Sequence, residues 1–307
     1  MIYNNIIVDA QNLYWRSVHS SLKKCLDGEN DKIYSNSIQE FLDRANKLRN
    51  TFGTFESKLF LLFDNPLSIT NKRKSIDVNY KHSRDIKNVP KNFYKTLDCL
   101  QEILKVYKNF FYIIRYDGLE ADDLVYPLFQ TLNKKETKLV VSADMDWSRA
   151  LGIDDNCNWF NFFVEYNKEK FKEKYEFCPN GKSIQMYKAI RGDNSDSIPN
   201  AVPYLPKTIL IDIVEKYNTP NELFKNISQY PEKWKLKIIE AKNRIVTNYK
   251  LVDYLEYEKL ENFIFECKEN IELLRFYFNL YDLQFEARMF DSEKDNFFEK
   301  KKYRRIK

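Results

Sequence analysis

Histidine is almost missing from this chain: His19 and His82 are the only two in 307 residues. That shortage argues against Ser-His or Cys-His nucleophilic catalysis, which needs an imidazole beside the nucleophile. Cysteine is sparse as well. The five cysteines, Cys25, Cys99, Cys157, Cys178 and Cys267, stand far apart with no Cys-x-x-Cys pair, so neither a zinc cluster nor a disulfide framework is expected. No run approaches the roughly 20 apolar residues of a membrane span. Met1-Ile2-Tyr3-Asn4-Asn5 lacks the basic start and apolar segment of a secretory leader, and a cytoplasmic protein without membrane partners is expected. Internal repeats and low-complexity linkers are not found. Whatever chemistry such a chain performs rests on carboxylates, lysines or metal ions.

What is present is a globular composition, with 43% apolar residues and 23 Phe and 21 Tyr, enough to bury a sizeable core. The net charge of +5 says little by itself; its distribution says more. Eight basic residues fall between Lys72 and Lys95 (Lys72, Arg73, Lys74, Lys81, Arg84, Lys87, Lys91 and Lys95) against Asp77 and Asp85. Six more lie in the last eight residues, Lys300 to Lys307. A charge run is commonly a solvated face or frayed tail, and that reading suits the C-terminus.

Three short apolar runs each finish in an aspartate: Ile6-Ile7-Val8-Asp9, Leu59 to Phe63 with Asp64, and Leu139-Val140-Val141-Ser142-Ala143-Asp144. A fourth, Phe110 to Ile114, is followed by Gly118-Leu119-Glu120-Ala121-Asp122-Asp123. Continuous apolar runs without alternation read as strands buried on both faces of a parallel sheet. Segments with helical spacing, Ser37–Asn50 and Phe93–Tyr107, separate them, and the alternation predicts an α/β fold. From about Lys207 onward the chain reads as mainly helical, over Thr208–Tyr217, Trp234–Leu255 and Ile271–Phe285, with no strand evident. The predicted organisation is an α/β core over 1–190 with a basic segment at about 71–110, a helical region over 191–290, and a polar, basic tail over 291–307 whose composition suits disorder.

Ligand sites in open α/β sheets lie beyond the carboxyl ends of the strands, where Asp9, Asp64 and Asp144 would project, with Glu120, Asp122 and Asp123 opening a helix. One aspartate at a strand end is commonly a turn former or cap. So many carboxylates clustered without cations would raise one another's pKa values and destabilise the fold; a divalent metal site resolves that conflict.

With Gly192-Asp193-Asn194-Ser195-Asp196 added, the sequence resembles the 5′-exonuclease/flap-endonuclease family, including stand-alone bacteriophage members and the nuclease domain of bacterial DNA polymerase I. The likeness runs from Ile6 to about Thr208. Asp9 with Asn12 is similar to the family's Asp-Gly-x-Asn start, Phe63-Asp64 to its second strand end, and Tyr80-Lys81-His82-Ser83-Arg84 to its Tyr-Lys-x-x-Arg motif. Glu120-Ala121-Asp122-Asp123, Ser142-Ala143-Asp144-Met145-Asp146 and Gly192 to Asp196 follow in family order. The resemblance implies a PIN-like 5′-nuclease architecture with a helical arch and two Mg²⁺ ions, for which Mn²⁺ can substitute. Asp9, Asp64, Glu120, Asp122 and Asp123 match the first metal cluster; Asp144, Asp146, Asp193 and Asp196 match the second. Hard oxygen ligands suit such ions. Lys81 and Arg84 match positions that contact the phosphate. Arg16, Lys72, Arg73 and Lys74 are further nucleic-acid candidates, and Tyr80 is a candidate for stacking on a base.

Two departures stand out. Met145 occupies the place of a lysine found in many relatives. The family's hairpin, Gly-Val-Pro-Gly-Ile-Gly-x-Lys-Thr, aligns with Asn200 to Thr208, where all three glycines are gone and Lys207 and Thr208 remain; this puts duplex contact and a monovalent cation there in doubt. The expected function is a monomeric, structure-specific 5′ nuclease that acts on 5′-ended or flapped DNA and removes primers and flaps in replication. A ribonuclease acting mainly on RNA·DNA hybrid, and a catalytically inactive nucleic-acid-binding relative, are the alternatives. A smaller PIN-type nuclease would need neither the basic arch nor the Gly-Asp-x-x-Asp motif.

Overall fold

In the computed structural model the described residues are 1–24, 32–65, 67–82, 89, 93–253, 260–281 and 283. The expected tail over 291–307 lies outside them, as do Arg84 and much of the basic segment. The chain begins β1 (Asn5–Asp9), α1 (Ala10–Lys24), α2 (Lys32–Phe52), β2 (Lys58–Leu62), α3 (Leu67–Ile76), α4 (Phe93–Lys105) and β3 (Phe111–Ile114). It continues α5 (Val125–Thr131), β4 (Lys138–Val141), α6 (Ala150–Ile153), β5 (Cys157–Phe160), β6 (Glu165–Tyr166), α7 (Lys168–Tyr175) and α8 (Gly181–Arg191). Then follow α9 (Lys207–Lys216), α10 (Pro220–Lys225), α11 (Glu232–Glu240), α12 (Lys242–Leu251), β7 (Ile264–Glu266) and α13 (Ile271–Leu280).

Among the described residues, seven strands form one sheet in the order β6-β5-β4-β1-β2-β3-β7. Strands β1 to β5 run parallel, in register Ile6↔Leu59, Ile6↔Leu139, Phe60↔Tyr112 and Val140↔Trp159. Only β6 and β7 are antiparallel, and both sit at the sheet's edges. The apolar runs that announced the strands are buried on both faces, as a parallel sheet demands. One face packs Ile7, Phe60 and Val140 against α5, α6, α8 and α9. The other packs Ile6, Val8, Leu59 and Leu61 against α1, α2, α4 and α13.

Three strands escaped the sequence pattern. Cys157-Asn158-Trp159-Phe160 and Glu165-Tyr166 are short and mixed in polarity. Strand β7 lies within the stretch read as purely helical and returns the chain to the sheet beside β3. The stretch read as one helix over Trp234–Leu255 is two, α11 and α12, parted at Ala241.

Lys138 begins β4 yet is fully buried. Its Nζ donates to Asn133 O at 2.9 Å and Glu136 O at 2.8 Å and pairs with Asp154 at 2.9 Å, so the charge is compensated at the end of the sheet remote from the aspartates.

Gly192 closes α8 at φ +79°. A Cβ there would stand 2.6 Å from both Asn200 N and Ile198 O, which are backbone atoms that cannot swing aside. Gly192→Ala is therefore expected to destabilise the fold by about 2 kcal/mol or more, measured as a lowered urea midpoint; an unchanged midpoint would show that the turn relaxes freely.

Candidate active site

The carboxyl ends of β1, β2, β3 and β4 share one edge of the sheet, and the acidic residues gather there around a cavity of about 500 Å³. Asp9, Asp64, Glu120, Asp122, Asp144, Asp146 and Asp196 line it, together with Lys81. Asp9 ends β1 and accepts from the Asn12 N–H at 2.9 Å and the Ser142 hydroxyl at 2.8 Å. The Ser142 oxygen also accepts from the Asp144 N–H at 3.1 Å, tying the ends of β1 and β4 together. Asp64, two residues past β2, accepts from the Ala121 N–H at 2.8 Å. Glu120 and Asp123 form a reciprocal capping pair around the short turn Ala121–Leu124. Asp144 caps the next turn by accepting from the Asp146 N–H at 3.0 Å.

The remaining acidic pair is held by a tight two-residue bridge. Asp193 and Ile198 exchange backbone hydrogen bonds of 2.8 Å each way. Ser195 donates to Asp193 Oδ1 through its N–H at 2.9 Å and its hydroxyl at 2.6 Å. Asp196 lies across from the basic segment, its carbonyl accepting from the Lys81 N–H at 2.8 Å.

Among the described residues, four cations neutralise this edge. Arg73 reaches Glu120 at 2.7 Å and Asp123 at 3.9 Å. Lys81, whose backbone adopts φ +56°, also pairs with Glu120. Arg149 meets Asp122 at 4.0 Å. Lys188, buried on α8, pairs with Asp146, with Asp193 at 2.6 Å and with Asp144 at 3.9 Å. Among the described residues no three carboxylates converge as a ready-made ion shell; Glu120, Asp122, Asp123, Asp144, Asp146 and Asp193 face these cations, and Asp9 and Asp64 face neutral donors.

Charge and burial perturb the acids strongly. Burial, reinforced by Asp64, pushes Asp9 up to about 8. Burial beside Glu120 raises Asp64 to about 6, burial beside Asp122 raises Asp123 to about 7, and burial beside Asp146 raises Asp144 to about 7. For Asp122 burial works upward too, but Arg149 and Arg73 outweigh it and hold the carboxyl below its ordinary value. Lys188 does the same for Asp193 against burial. Buried acids pushed apart in this way mark a functional site.

Several expectations need correction. Arg73 is buried under the acidic turn and spends its guanidinium on Glu120 and the Asp253 carbonyl, 3.0 Å away, so it is a support of the site and not a surface contact. Tyr80 is buried against Ile198, Leu251 and Val252, with its hydroxyl 3.4 Å from Asp196; no ring face is left for a base. Arg16 lies over the Phe162 ring at 4.2 Å, turned from the cavity toward the β5–β6 turn. Lys72 and Lys74 are exposed on α3, and Lys207 and Thr208 are exposed at the start of α9, with Lys207 paired to Glu176 at 2.6 Å.

Sequence reasoning missed Lys188 and Arg149, and also the aromatic part of the cavity lining, Trp15, His19 and Tyr94. Trp15 stacks on His19 and on Phe93, with centroids 5.6 and 4.3 Å apart. The available signal for Lys188 was its phase: it follows the buried Ile184 by one helical turn.

Residues 4–176, more than half of the chain, match the family described as "5′-3′ exonuclease, N-terminal resolvase-like domain". The chain belongs to the 5′-3′ exonuclease family. It is a 5′ nuclease. The family's 5′-3′ exonuclease from Mycoplasma genitalium is 23% identical over 281 residues, covering 87% of this chain and 86% of that one. That from Buchnera aphidicola subsp. Baizongia pistaciae is 24% identical over 239 residues, covering 75% and 72%. The DNA polymerase I of Borreliella burgdorferi is 24% identical, covering 84% of this chain but 28% of the polymerase. The fold is that of the T5 5′-exonuclease solved with zinc ions, with a TM-score of 0.61 at 20% identity and coverage of 90% and 98%. A bacteriophage T5 flap endonuclease in a pseudo-enzyme–product complex with DNA and metal ions aligns at 0.60 and 20%, covering 83% and 90%. No helix among the described residues is long and apolar enough to cross a membrane.

The raised acids set a pH dependence for the metal-free nuclease. An unfolded carboxyl titrates near about 4, whereas Asp9, Asp123 and Asp144 hold their protons to about 8, 7 and 7. Between those limits the native state binds more protons than the unfolded one, so stability falls as pH rises and levels off above the folded values. The lowered Asp122 and Asp193 act oppositely, and only in the more acidic range. Thermal melts in EDTA should drop by several degrees from pH 5 to 8, and Asp144→Asn should flatten the drop. A melting temperature rising over that range would contradict the assignment.

Proposed function

We propose that this nuclease is structure-specific, cutting DNA with a single-stranded 5′ end or flap and removing primers and flaps in replication. The observation that supports this reading is the lining of the cavity, whose wall carries the aromatic side chains of Trp15, Tyr94 and His19 as well as the carboxylates. A single strand has unstacked bases that can lie on Trp15, Tyr94 and the His19 imidazole. A continuous duplex keeps its bases inside and has no use for them. An RNA·DNA hybrid with a free 5′ end fits the same wall and is the second substrate.

The donor set fits divalent metal. The acids are all oxygen ligands, and four of them are pushed toward neutrality in its absence, which suits hard cations such as Mg²⁺ or Mn²⁺. Asp9, Asp64, Glu120, Asp122 and Asp123 would hold one ion, and Asp144, Asp146, Asp193 and Asp196 a second. When bound, two such ions would supply Lewis-acid activation of water and neutralisation of charge on the scissile phosphate.

The chain's own residues do the rest. Lys81 lines the cavity, paired with Glu120, and can turn its ammonium from that carboxylate to a phosphate oxygen as charge builds there. Its left-handed backbone is held by the hydrogen bond from its N–H to the Asp196 carbonyl, which anchors Lys81 beside the acidic edge. Arg84, outside the described residues, is a second phosphate contact on the same segment. Lys188 keeps Asp144, Asp146 and Asp193 oriented toward one another.

Incubation of the purified protein with a 5′-labelled flap, a nicked duplex, an RNA·DNA hybrid and a circular single strand tests the reading. Flap cleavage dependent on Mg²⁺, with the circle spared, is expected. Cleavage undiminished by excess chelator would remove the metals, and cutting of the circle at the flap's rate would remove the 5′-end requirement. Lys81→Ala should slow single-turnover cleavage by about 100-fold or more while substrate affinity changes little. An unchanged rate at saturating enzyme would make Lys81 ordinary surface charge.

A further inference from the structure

Glu120 carries two cations, and its two oxygens are held differently. Oε2 accepts from Arg73 Nη1 at 2.7 Å, whereas Oε1 is paired with the Lys81 ammonium. Lys81 lines the cavity beside Glu120; Arg73, only 7% exposed, lies outside that lining. Their anchorage differs as well. The other fork nitrogen of Arg73, Nη2, donates to Asp253 O at 3.0 Å, and Nη1 stands 3.4 Å from the Tyr80 hydroxyl. Asp253 is held in turn by Gln185, a fully buried residue of α8, whose Nε2 donates to Asp253 Oδ1 at 3.0 Å and to Tyr249 O at 2.9 Å. The same guanidinium reaches Asp123 at 3.9 Å. Arg73 is thus tied to α8 and to the end of α12 as well as to the acid. Lys81 brings a single ammonium on a flexible stem.

We infer that Arg73 is the positioning residue of Glu120: it keeps the carboxylate aimed at the cavity, and Lys81 is the partner that leaves. This rests on the nuclease reading above, in which Lys81 turns to a phosphate and Glu120 faces a divalent ion. A buried carboxylate stripped of its cation is strongly unfavourable. A lysine that departs from one therefore needs a second cation to stay behind. A guanidinium whose other nitrogen is committed to a backbone carbonyl is suited to stay, because its planar fork is fixed at both ends. An ammonium on one carboxylate oxygen is suited to go. Arg73 leaves Oε1 uncovered, and Oε1 is the oxygen that Lys81 vacates. Release of the lysine and filling of the ion site are then one exchange at Oε1, with Oε2 fixed throughout. The two cations act on different steps: Arg73 supports ion binding, and Lys81 serves the phosphate.

The test measures Mn²⁺ binding to the full-length protein without nucleic acid, by calorimetry, beside single-turnover cleavage of a flap across Mn²⁺ concentrations. Arg73→Met is expected to weaken Mn²⁺ by about tenfold, the effect of removing a group that orients a metal ligand. Its cleavage should be slow at limiting Mn²⁺ and return to within about threefold of wild type at saturating Mn²⁺. Flap affinity in EDTA should stay within about twofold, since Arg73 touches no substrate. Arg73→Lys keeps the charge but loses the fork, and should fall between wild type and Arg73→Met. Lys81→Ala should bind Mn²⁺ at least as tightly as wild type, and its loss of rate should persist at saturating Mn²⁺. Wild-type Mn²⁺ affinity in a folded Arg73→Met, or a rate loss that Mn²⁺ does not recover, would overturn the inference. If Arg73→Met melts below the assay temperature, Arg73→Lys decides in the same way, and wild-type Mn²⁺ affinity in it overturns the inference. A wild type that neither binds Mn²⁺ nor cleaves fails the nuclease reading first; a cleaving wild type with silent Arg73 variants fails this inference alone.

Discussion

Nine carboxylates brought to one end of a sheet impose the constraint that the rest of this structure answers. A pair of like charges about 4 Å apart costs roughly 4 kcal/mol at the effective dielectric of a protein surface, against a total stability of only about 5–15 kcal/mol for a typical domain. The fold meets the cost in two ways. Some acids stay protonated, as Asp9 does up to about 8. Others are matched by Arg73, Lys81, Arg149 and Lys188, brought in from four different segments. The site is therefore a charge-balanced object before any ion arrives, and its cations are placed where a metal or a phosphate would later exchange with them.

This arrangement also explains why the helical region and the basic segment are bound to one another. Arg73 leaves α3, passes the Tyr80 ring, and ends on Glu120 and the carbonyl of Asp253 beyond α12. Arg244 on α12 pairs with Asp77 just past α3 at 3.1 Å. Gln185 on α8 donates to the Asp253 side chain at 3.0 Å, closing the circuit back to the helix of Lys188. The acidic edge, the basic segment and α12 are thereby fastened by these directional bonds together with the small apolar cluster of Tyr80, Ile198, Leu251 and Val252.

The strand-ending aspartates were legible in the sequence because an apolar run that terminates in a carboxylate has few structural uses, and several in order have fewer. The parallel core strands were legible for the same reason: both faces are buried, so the run is unbroken. What hid was context-dependent. Lys188 and Arg149 read as helix-surface cations because only the tertiary fold sets acids opposite them. Arg73 and Tyr80 read as exposed because they sit in a basic stretch, yet a basic stretch packed on an acidic edge turns inward. Trp15 and Tyr94 carry no local mark that separates a cavity wall from a core. Strand β7 was invisible at three residues, since Ile264-Phe265-Glu266 forms only because β3 offers it an edge.

That last strand has a consequence for how the protein is made. The family match ends at residue 176, but the sheet it defines is completed by Ile264–Glu266, arriving 88 residues later by sequence. Until then β3 presents an unpaired row of backbone donors and acceptors to its surroundings, the kind of open edge on which other chains can template. Pairing so distant in sequence is also slow to form. During synthesis on the ribosome, the nuclease half therefore stays sticky along one side until the C-terminal portion emerges and covers it, so an expression fragment cut at the family boundary is a poor candidate for a soluble domain.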